Sequence, residues 1–203
     1  MREYEDELIK NGIKLIAGVD EVGRGPLIGP VVTAAVILPV GYINEEINDS
    51  KKLTEKKREK LYEIIMNDAI AVSIGMCSEK VIDDINILEA TKKAMKEAIN
   101  GLKIKPEHVL IDAVKLDIDI PSTSIIKGDA KSISVAAASI IAKVYRDRML
   151  IEMDKEFPMY NLAKNKGYGT KTHIEALNQY GPCKYHRLTF EPVKTIHENL
   201  SKK

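Results

Sequence analysis

The chain has 203 residues, 44% hydrophobic and 30% charged, an ordinary globular composition for one domain that buries about 70% of its unfolded surface. Its 31 basic and 30 acidic residues leave a net charge of +1, so no global field advertises a polyanionic partner and any such signal has to be local. Cys77 and Cys183 cannot build a disulfide framework, the amino terminus Met1-Arg2-Glu3-Tyr4-Glu5-Asp6 lacks an apolar signal core, and the longest apolar run, Val31 to Leu38, is far too short for a bilayer. These features point to the cytoplasm, with no membrane contact.

The predicted elements alternate between β and α without repeats or low-complexity linkers. Val and Ile content, bounded by glycines and prolines, predicts strands near Lys14 to Glu21, Val31 to Leu38 and Ile70 to Met76. The first two are close in sequence and are expected to pair antiparallel. Between the second and third strands Thr54 can cap a helix whose apolar stripe is Leu61, Ile64 and Ile65. Another helix is predicted from about Asn86 to Asn100, stopped by Gly101. Short strands follow at His108 to Asp112 and Ser122 to Lys127. The longest helical pattern runs from about Ala130 to Glu156, with Ile133, Ala137, Ile140, Ile141, Val144 and Met149 at helical spacing, and stops before Pro158. Asn161 to Lys203 reads as loop with one or two short helices.

Carboxylates recur where these strands end. Asp20 and Glu21 sit side by side where Leu15-Ile16-Ala17-Gly18-Val19 runs into the turn Gly23-Arg24-Gly25-Pro26. Two uncompensated negative charges against a sheet repel each other and are costly to desolvate, so something positive is expected beside them. Val109-Leu110-Ile111-Asp112 repeats the pattern, and Ile125-Ile126-Lys127-Gly128-Asp129 does so again at the start of the long helix. Taken singly, Asp129 has an ordinary explanation as a helix N-cap and Asp112 as a turn residue. Four acids at three strand ends are harder to dismiss, because strand ends beside helices are where sites form.

Such a cluster suits phosphoryl transfer with two divalent ions about 3.5 to 4 Å apart, one activating a water and the other stabilising the leaving oxygen. Mg²⁺ and Mn²⁺ prefer oxygen ligands, and a phosphate approaches carboxylates only with cations between them. Zinc is disfavoured, since no His/Cys cluster has ligand spacing; His108, His173, His186 and His197 read as surface or structural residues.

The run Ile16 to Val32, with its Asp20-Glu21 and Gly23-Arg24-Gly25-Pro26, resembles the first signature of type 2 ribonucleases H, and of bacterial ribonuclease HII in particular. Matching segments follow in order: Asn48-Asp49-Ser50-Lys51-Lys52-Leu53, Leu110-Ile111-Asp112, Lys127-Gly128-Asp129, Ala136 to Asp147, Lys166 to His173, and His186 to Pro192. The resemblance is collinear over most of the chain. It implies a ribonuclease H-like α/β fold, a mixed five-stranded sheet whose first three strands are antiparallel, flanked by helices, with a helical C-terminal part from about residue 157 helping to bind substrate. It implies endonucleolytic cleavage of the RNA strand of RNA-DNA hybrids, and of single ribonucleotides embedded in duplex DNA, leaving 3′-hydroxyl and 5′-phosphate ends. Asp20, Glu21, Asp112 and Asp129 then correspond to the catalytic metal-binding acids, and Gly23, Arg24, Gly25 and Tyr168 to the residues that recognise a ribonucleotide followed by a deoxynucleotide.

Those residue types suit the task. Two glycines let the backbone approach a sugar, and exposed peptide groups can hydrogen-bond the 2′-hydroxyl that separates RNA from DNA. Arg24 can hold a phosphate with a fork of donors, and Tyr168, flanked by glycines, can stack on a sugar or base. Lys51 and Lys143, lying within matched segments, are candidate substrate contacts, whereas Lys56 to Lys60 fit a solvated helix face. Ser132, Ser139, Lys143 and Arg146, at intervals of seven, four and three, share one helix face that is expected to meet phosphates. The tail Ser201-Lys202-Lys203 has no aromatic motif for docking on a sliding clamp, and a monomer is expected. Another metal-dependent nuclease of the same superfold, a resolvase or a DNA-repair endonuclease, is the alternative; it would share the acids but not the pairing of Gly-Arg-Gly with Gly-Tyr-Gly.

Overall fold

A computed structural model describes residues 1–202 of the chain. Five strands, β1 (Ile16–Val22), β2 (Val31–Ile37), β3 (Ala71–Cys77), β4 (His108–Asp112) and β5 (Ser122–Ile125), form one sheet in the order β3-β2-β1-β4-β5. The β1–β2 and β2–β3 pairs are antiparallel, with Asp20 opposite Ala34 and Glu21 opposite Thr33 in the first. β4 and β5 run parallel to β1, and Val19 pairs with Ile111. This is the mixed sheet expected of the ribonuclease H-like fold. The parallel pairing brings the carboxyl ends of β1 and β4 side by side, and with them Asp20 and Asp112.

Helices cover both faces, which is why β1 and β2 read as nearly continuous apolar runs. On one face Val32, Ala34 and Val36 pack with Ile133, Ala137, Ile140 and Ile141 of the longest helix. On the other, Ala17, Val19, Ala35 and Ile37 pack against Met95, Ala98 and Ile99. Eight α-helices occur among the described residues: α1 (Glu3–Lys10), α2 (Glu55–Asp68), α3 (Glu79–Ile85), α4 (Ile87–Asn100), α5 (Ile133–Glu156), α6 (Leu162–Asn165), α7 (Lys171–Tyr180) and α8 (Val193–Ser201). The α2 cap is Thr54, as its sequence predicts, and the chain after Pro158 holds more helix than expected.

α5 sits unusually close to the sheet. A Cβ at Gly18 would overlap the Ser134 backbone, so β1 can lie against the helix only where it carries no side chain. The helix starts later than the predicted Ala130: its N-cap is Ser132, whose Oγ accepts from the Val135 N–H at 3.2 Å. Asp129 instead occupies a separate 3₁₀ turn, Gly128–Ala130, which frees its carboxylate from the capping role. A second anion completes this helix end. Glu5 of α1 is buried and accepts from Ser132 Oγ at 2.5 Å and from the Ser134 N–H at 3.0 Å, a carboxylate placed on the positive end of the helix dipole.

Candidate active site

Oxygen atoms of Asp20, Glu21 and Asp112 all lie within 4.8 Å of one another at the carboxyl ends of β1 and β4. Asp20 is 5% exposed, and its Oδ1 accepts from the Glu21 N–H at 2.7 Å. Burial, and after it the charges of Glu21 and Asp112, hold its carboxyl well above the usual aspartate range, while the Ser139 hydroxyl beside it acts in the opposite direction. Burial also raises Glu21, against the nearby Arg24 guanidinium, with Asp112 adding to the rise. One Glu21 oxygen, Oε2, is buried with no hydrogen-bond partner. Asp112 is steadied from β5's side, where its Oδ1 accepts from the Gly128 N–H at 2.5 Å.

Asp129 stands outside that trio but next to it. It is 9% exposed, and burial raises its carboxyl, with further contributions from Asp49 and Asp112 and opposition from Lys51. Three acids converge, therefore, and the fourth lies within electrostatic reach of Asp112. The donor set is all oxygen, negatively charged and short of hydrogen bonds, so these residues fit a hard divalent cation.

The glycine turn and the later tyrosine meet. Tyr168 is 48% exposed, and its ring lies over Gly25 so closely that a methyl there would sit 3.3 Å from Cε1. Gly167 O accepts from the Leu27 N–H at 2.8 Å, tying the two segments together. Gly23 has φ +94°, and a side chain there would overlap that of Arg146, so this position takes glycine on two counts. Arg24 is exposed, with its guanidinium 3.8 Å from Glu21 Oε1.

The basic residues divide. Lys51 is exposed in the 3₁₀ turn Ser50–Lys52, near enough to Glu21 and Asp129 to favour their charged forms. Lys143 is instead bound to Asp147 at 2.8 Å, with the two side chains 18% and 6% exposed. The face shared by Ser132, Ser139, Lys143 and Arg146 exists as predicted, but it turns inward and its polar groups find partners within the protein. Ser132 binds Glu5, Ser139 shares a 2.8 Å hydrogen bond with Ser50, and Arg146, 1% exposed, donates to the carbonyls of Pro30, Lys166 and Ile28 at 2.9 to 3.0 Å.

Sequence reasoning misses Asp49 and Arg187, and places Ser139 on a phosphate-facing helix face rather than beside Asp20. Asp49 caps the Lys51 amide at 3.0 Å and presses its charge on Asp129. Ser139 links Asp20 to the Ser50 turn. Arg187 is fully buried, although a lone arginine in a C-terminal loop reads as solvated. All three lie in segments that carry the family resemblance, the signal that marks Asp49 and Arg187.

A family model described as Ribonuclease HII matches residues 17–193. A Ribonuclease HII from Bacillus cytotoxicus is 57% identical over 199 residues, 98% of this chain and 77% of that protein. One from Acetivibrio thermocellus is 62% identical over 188 residues, covering 92% and 73%. Among solved structures, the ribonuclease H2 from Pyrococcus horikoshii OT3 superposes with a TM-score of 0.78 at 30% identity, over 93% of this chain and 99% of that one. With the acids converging at the ends of β1 and β4 of this sheet, the chain belongs to the ribonuclease HII family, metal-dependent endonucleases that cut the RNA strand of RNA-DNA hybrids.

Proposed function

We propose that this enzyme also cuts at single ribonucleotides embedded in duplex DNA, on the 5′ side of the ribonucleotide where it adjoins DNA, leaving 3′-hydroxyl and 5′-phosphate ends. Asp20, Glu21, Asp112 and Asp129 would hold Mg²⁺ or Mn²⁺, with two ions expected during hydrolysis and all four carboxylates as ligands. Bound there, the ions supply the positive charge that polarises a phosphodiester and lowers the pKa of water. The observation that carries this reading is the convergence of Asp20, Glu21 and Asp112 within 4.8 Å, with Glu21 Oε2 buried and unpartnered.

The remaining residues place the substrate. Arg24, Gly25 and Tyr168, exposed beside the acids with Gly23 buried behind them, read the 2′-hydroxyl, Lys51 meets a flanking phosphate, and Lys143 acts through its ion pair with Asp147. A 3′-hydroxyl product requires that the substrate's own 2′-hydroxyl is not the nucleophile. The whole chain acts as one catalytic domain, a cytoplasmic monomer removing ribonucleotides from DNA, and its part beyond about residue 157 supplies Tyr168. No helix among the described residues is long and apolar enough to cross a membrane.

One assay tests the reading. A duplex with a single ribonucleotide is incubated with Mg²⁺, Mn²⁺ or neither, and the cut is mapped. Metal-dependent cleavage 5′ to the ribonucleotide is expected. Cleavage of an all-DNA duplex at the same rate would refute the recognition, and cleavage without metal would refute the site.

A further inference from the structure

The ribose-reading edge is held from beneath by two adjacent buried residues, His186 and Arg187. Residues 185–187 run along Leu27–Gly29: Ile28 and His186 form an antiparallel bridge, the Gly29 N–H donates to Tyr185 O, and the Arg187 N–H donates to Leu27 O, both at 2.9 Å. Neither side chain is accounted for by the chemistry proposed above. Both are almost wholly buried, at 2% for His186 and 0% for Arg187.

Arg187 spends its donors on one turn. Nε donates to Gly29 O at 2.9 Å, one terminal nitrogen to Arg24 O at 3.0 Å and the other to Gly23 O at 2.5 Å. Burial, and after it the charge of Arg146, lowers its pKa to about 9, which leaves it cationic at neutral pH. A trans peptide is planar, with its C=O and N–H pointing in opposite directions. Carbonyls of Gly23 and Arg24 turned inward therefore turn the N–H groups of Arg24 and Gly25 outward. Those two amides have no acceptor in the protein among the described residues, and both residues are exposed. Two adjacent free donors over a buried cation form a cradle for an oxygen-rich group such as a ribose hydroxyl with its phosphate.

His186 controls the other half of the edge. The Cys183 N–H donates to its Nδ1 at 2.9 Å, so that nitrogen carries no proton. A neutral His186 then has its proton on Nε2, which lies 3.0 Å from His173 Nε2. His173 must accept there, and its own proton sits on Nδ1, 2.9 Å from the Tyr168 carbonyl. Every donor in this relay has one acceptor, and its direction is fixed by the backbone at both ends. Burial keeps both rings neutral, with His186 lowered to about 3.

We propose that His186 and Arg187 are the positioning residues of the ribose-recognition edge: Arg187 poses the Arg24 and Gly25 amides, and His186, through His173, fixes Tyr168. The inference rests on the reading of Gly23-Arg24-Gly25 and Tyr168 as that edge. The experiment uses the full chain and compares Arg187→Lys, which keeps charge but loses the fork of donors, with Tyr168→Ala. KM and kcat are measured on a duplex with one ribonucleotide and on a continuous RNA-DNA hybrid, below the melting temperature of each variant. Arg187→Lys is expected to raise KM for the single-ribonucleotide duplex at least tenfold more than for the hybrid, with the metal concentration for half-maximal activity within twofold of wild type; the double variant should be less impaired than the product of the two. A wild-type-like Arg187→Lys beside an impaired Tyr168→Ala overturns the positioning alone. If Tyr168→Ala is itself wild-type-like, the recognition reading fails and this inference with it. Should Arg187→Lys not fold, the unaltered protein still decides: ¹⁵N NMR should show His186 protonated on Nε2 and His173 on Nδ1, with Arg24 and Gly25 amides exchanging near the unprotected rate. The opposite tautomer at His173, or protected amides, overturns it.

Discussion

Asp112→Asn should make the metal-free protein more stable while disabling it. The amide is isosteric, and its oxygen can still accept from the Gly128 N–H. What disappears is a charge within 4.8 Å of both Asp20 and Glu21. At that separation and an effective dielectric near 20, each like-charge pair costs about 3.5 kcal/mol when both groups are ionised. Burial already pushes Asp20 and Glu21 toward their protonated forms, so part of that repulsion is not present at neutral pH, and the realised gain is about 1 to 2 kcal/mol. For a chain of this size that is roughly 2 to 8 °C in melting temperature. Thermal melts in EDTA should therefore rank the variant above wild type. With saturating Mg²⁺ or Mn²⁺ the order should narrow or reverse, because only the wild type gains fully from ion binding, and cleavage of a single-ribonucleotide duplex should fall at least about a hundredfold. A variant that melts lower than wild type in EDTA, or that cleaves at a near wild-type rate, would refute the idea that these acids are held together against their own repulsion for a cation.

Other outcomes follow from burial and close approach. The unfolded chain should take up protons at His186 before the native state does, since the ring's ordinary value of 6.5 falls to about 3 in the fold; its contribution, complete above pH 6.5, is lost as pH drops toward 3 and is down by about 2 kcal/mol at pH 5. The raised acids Asp20 and Glu21 bend the curve the other way, so the measurement is urea unfolding of wild type minus His186→Gln from pH 7.5 to 5, and a flat difference would contradict it. Gly18→Ala should cost about 3 kcal/mol by forcing β1 off α5, read as a large drop in denaturant midpoint; a shift below about 1 kcal/mol would show that the two elements can separate freely. Substrate affinity should weaken steeply with salt, and Lys51→Ala should lower the log-log slope by about one if that lysine meets a phosphate.

The strands were the most legible part of the fold in the sequence. β4 falls where the short apolar run His108 to Asp112 begins and ends, and β1 to β3 lie within two residues of their predicted bounds. α1 is invisible because its buried residue is Glu5, whose partners lie more than a hundred residues away at the start of α5. α3 escapes for a different reason: seven residues give too few turns for a period to show. At the site, acids at strand ends stand out because such positions are otherwise apolar. Arg146 and Arg187 do not, since a guanidinium on a helix or loop looks solvated until the carbonyls it binds are brought in from distant segments.

α5 also acts as a ruler. Ser139 stands beside Asp20, and Arg146 grips the carbonyls of Ile28, Pro30 and Lys166, so one rigid rod touches both the acids and the loops proposed to read the ribose. The two positions are seven residues apart, two turns or about 10 Å along the axis. On that proposal, the offset between the nucleotide read and the bond cut is tied to helix pitch rather than to loop length. Lengthening a loop should leave the cutting register alone; inserting a single residue between Ser139 and Arg146 would swing one end by about 100° and uncouple reading from cutting.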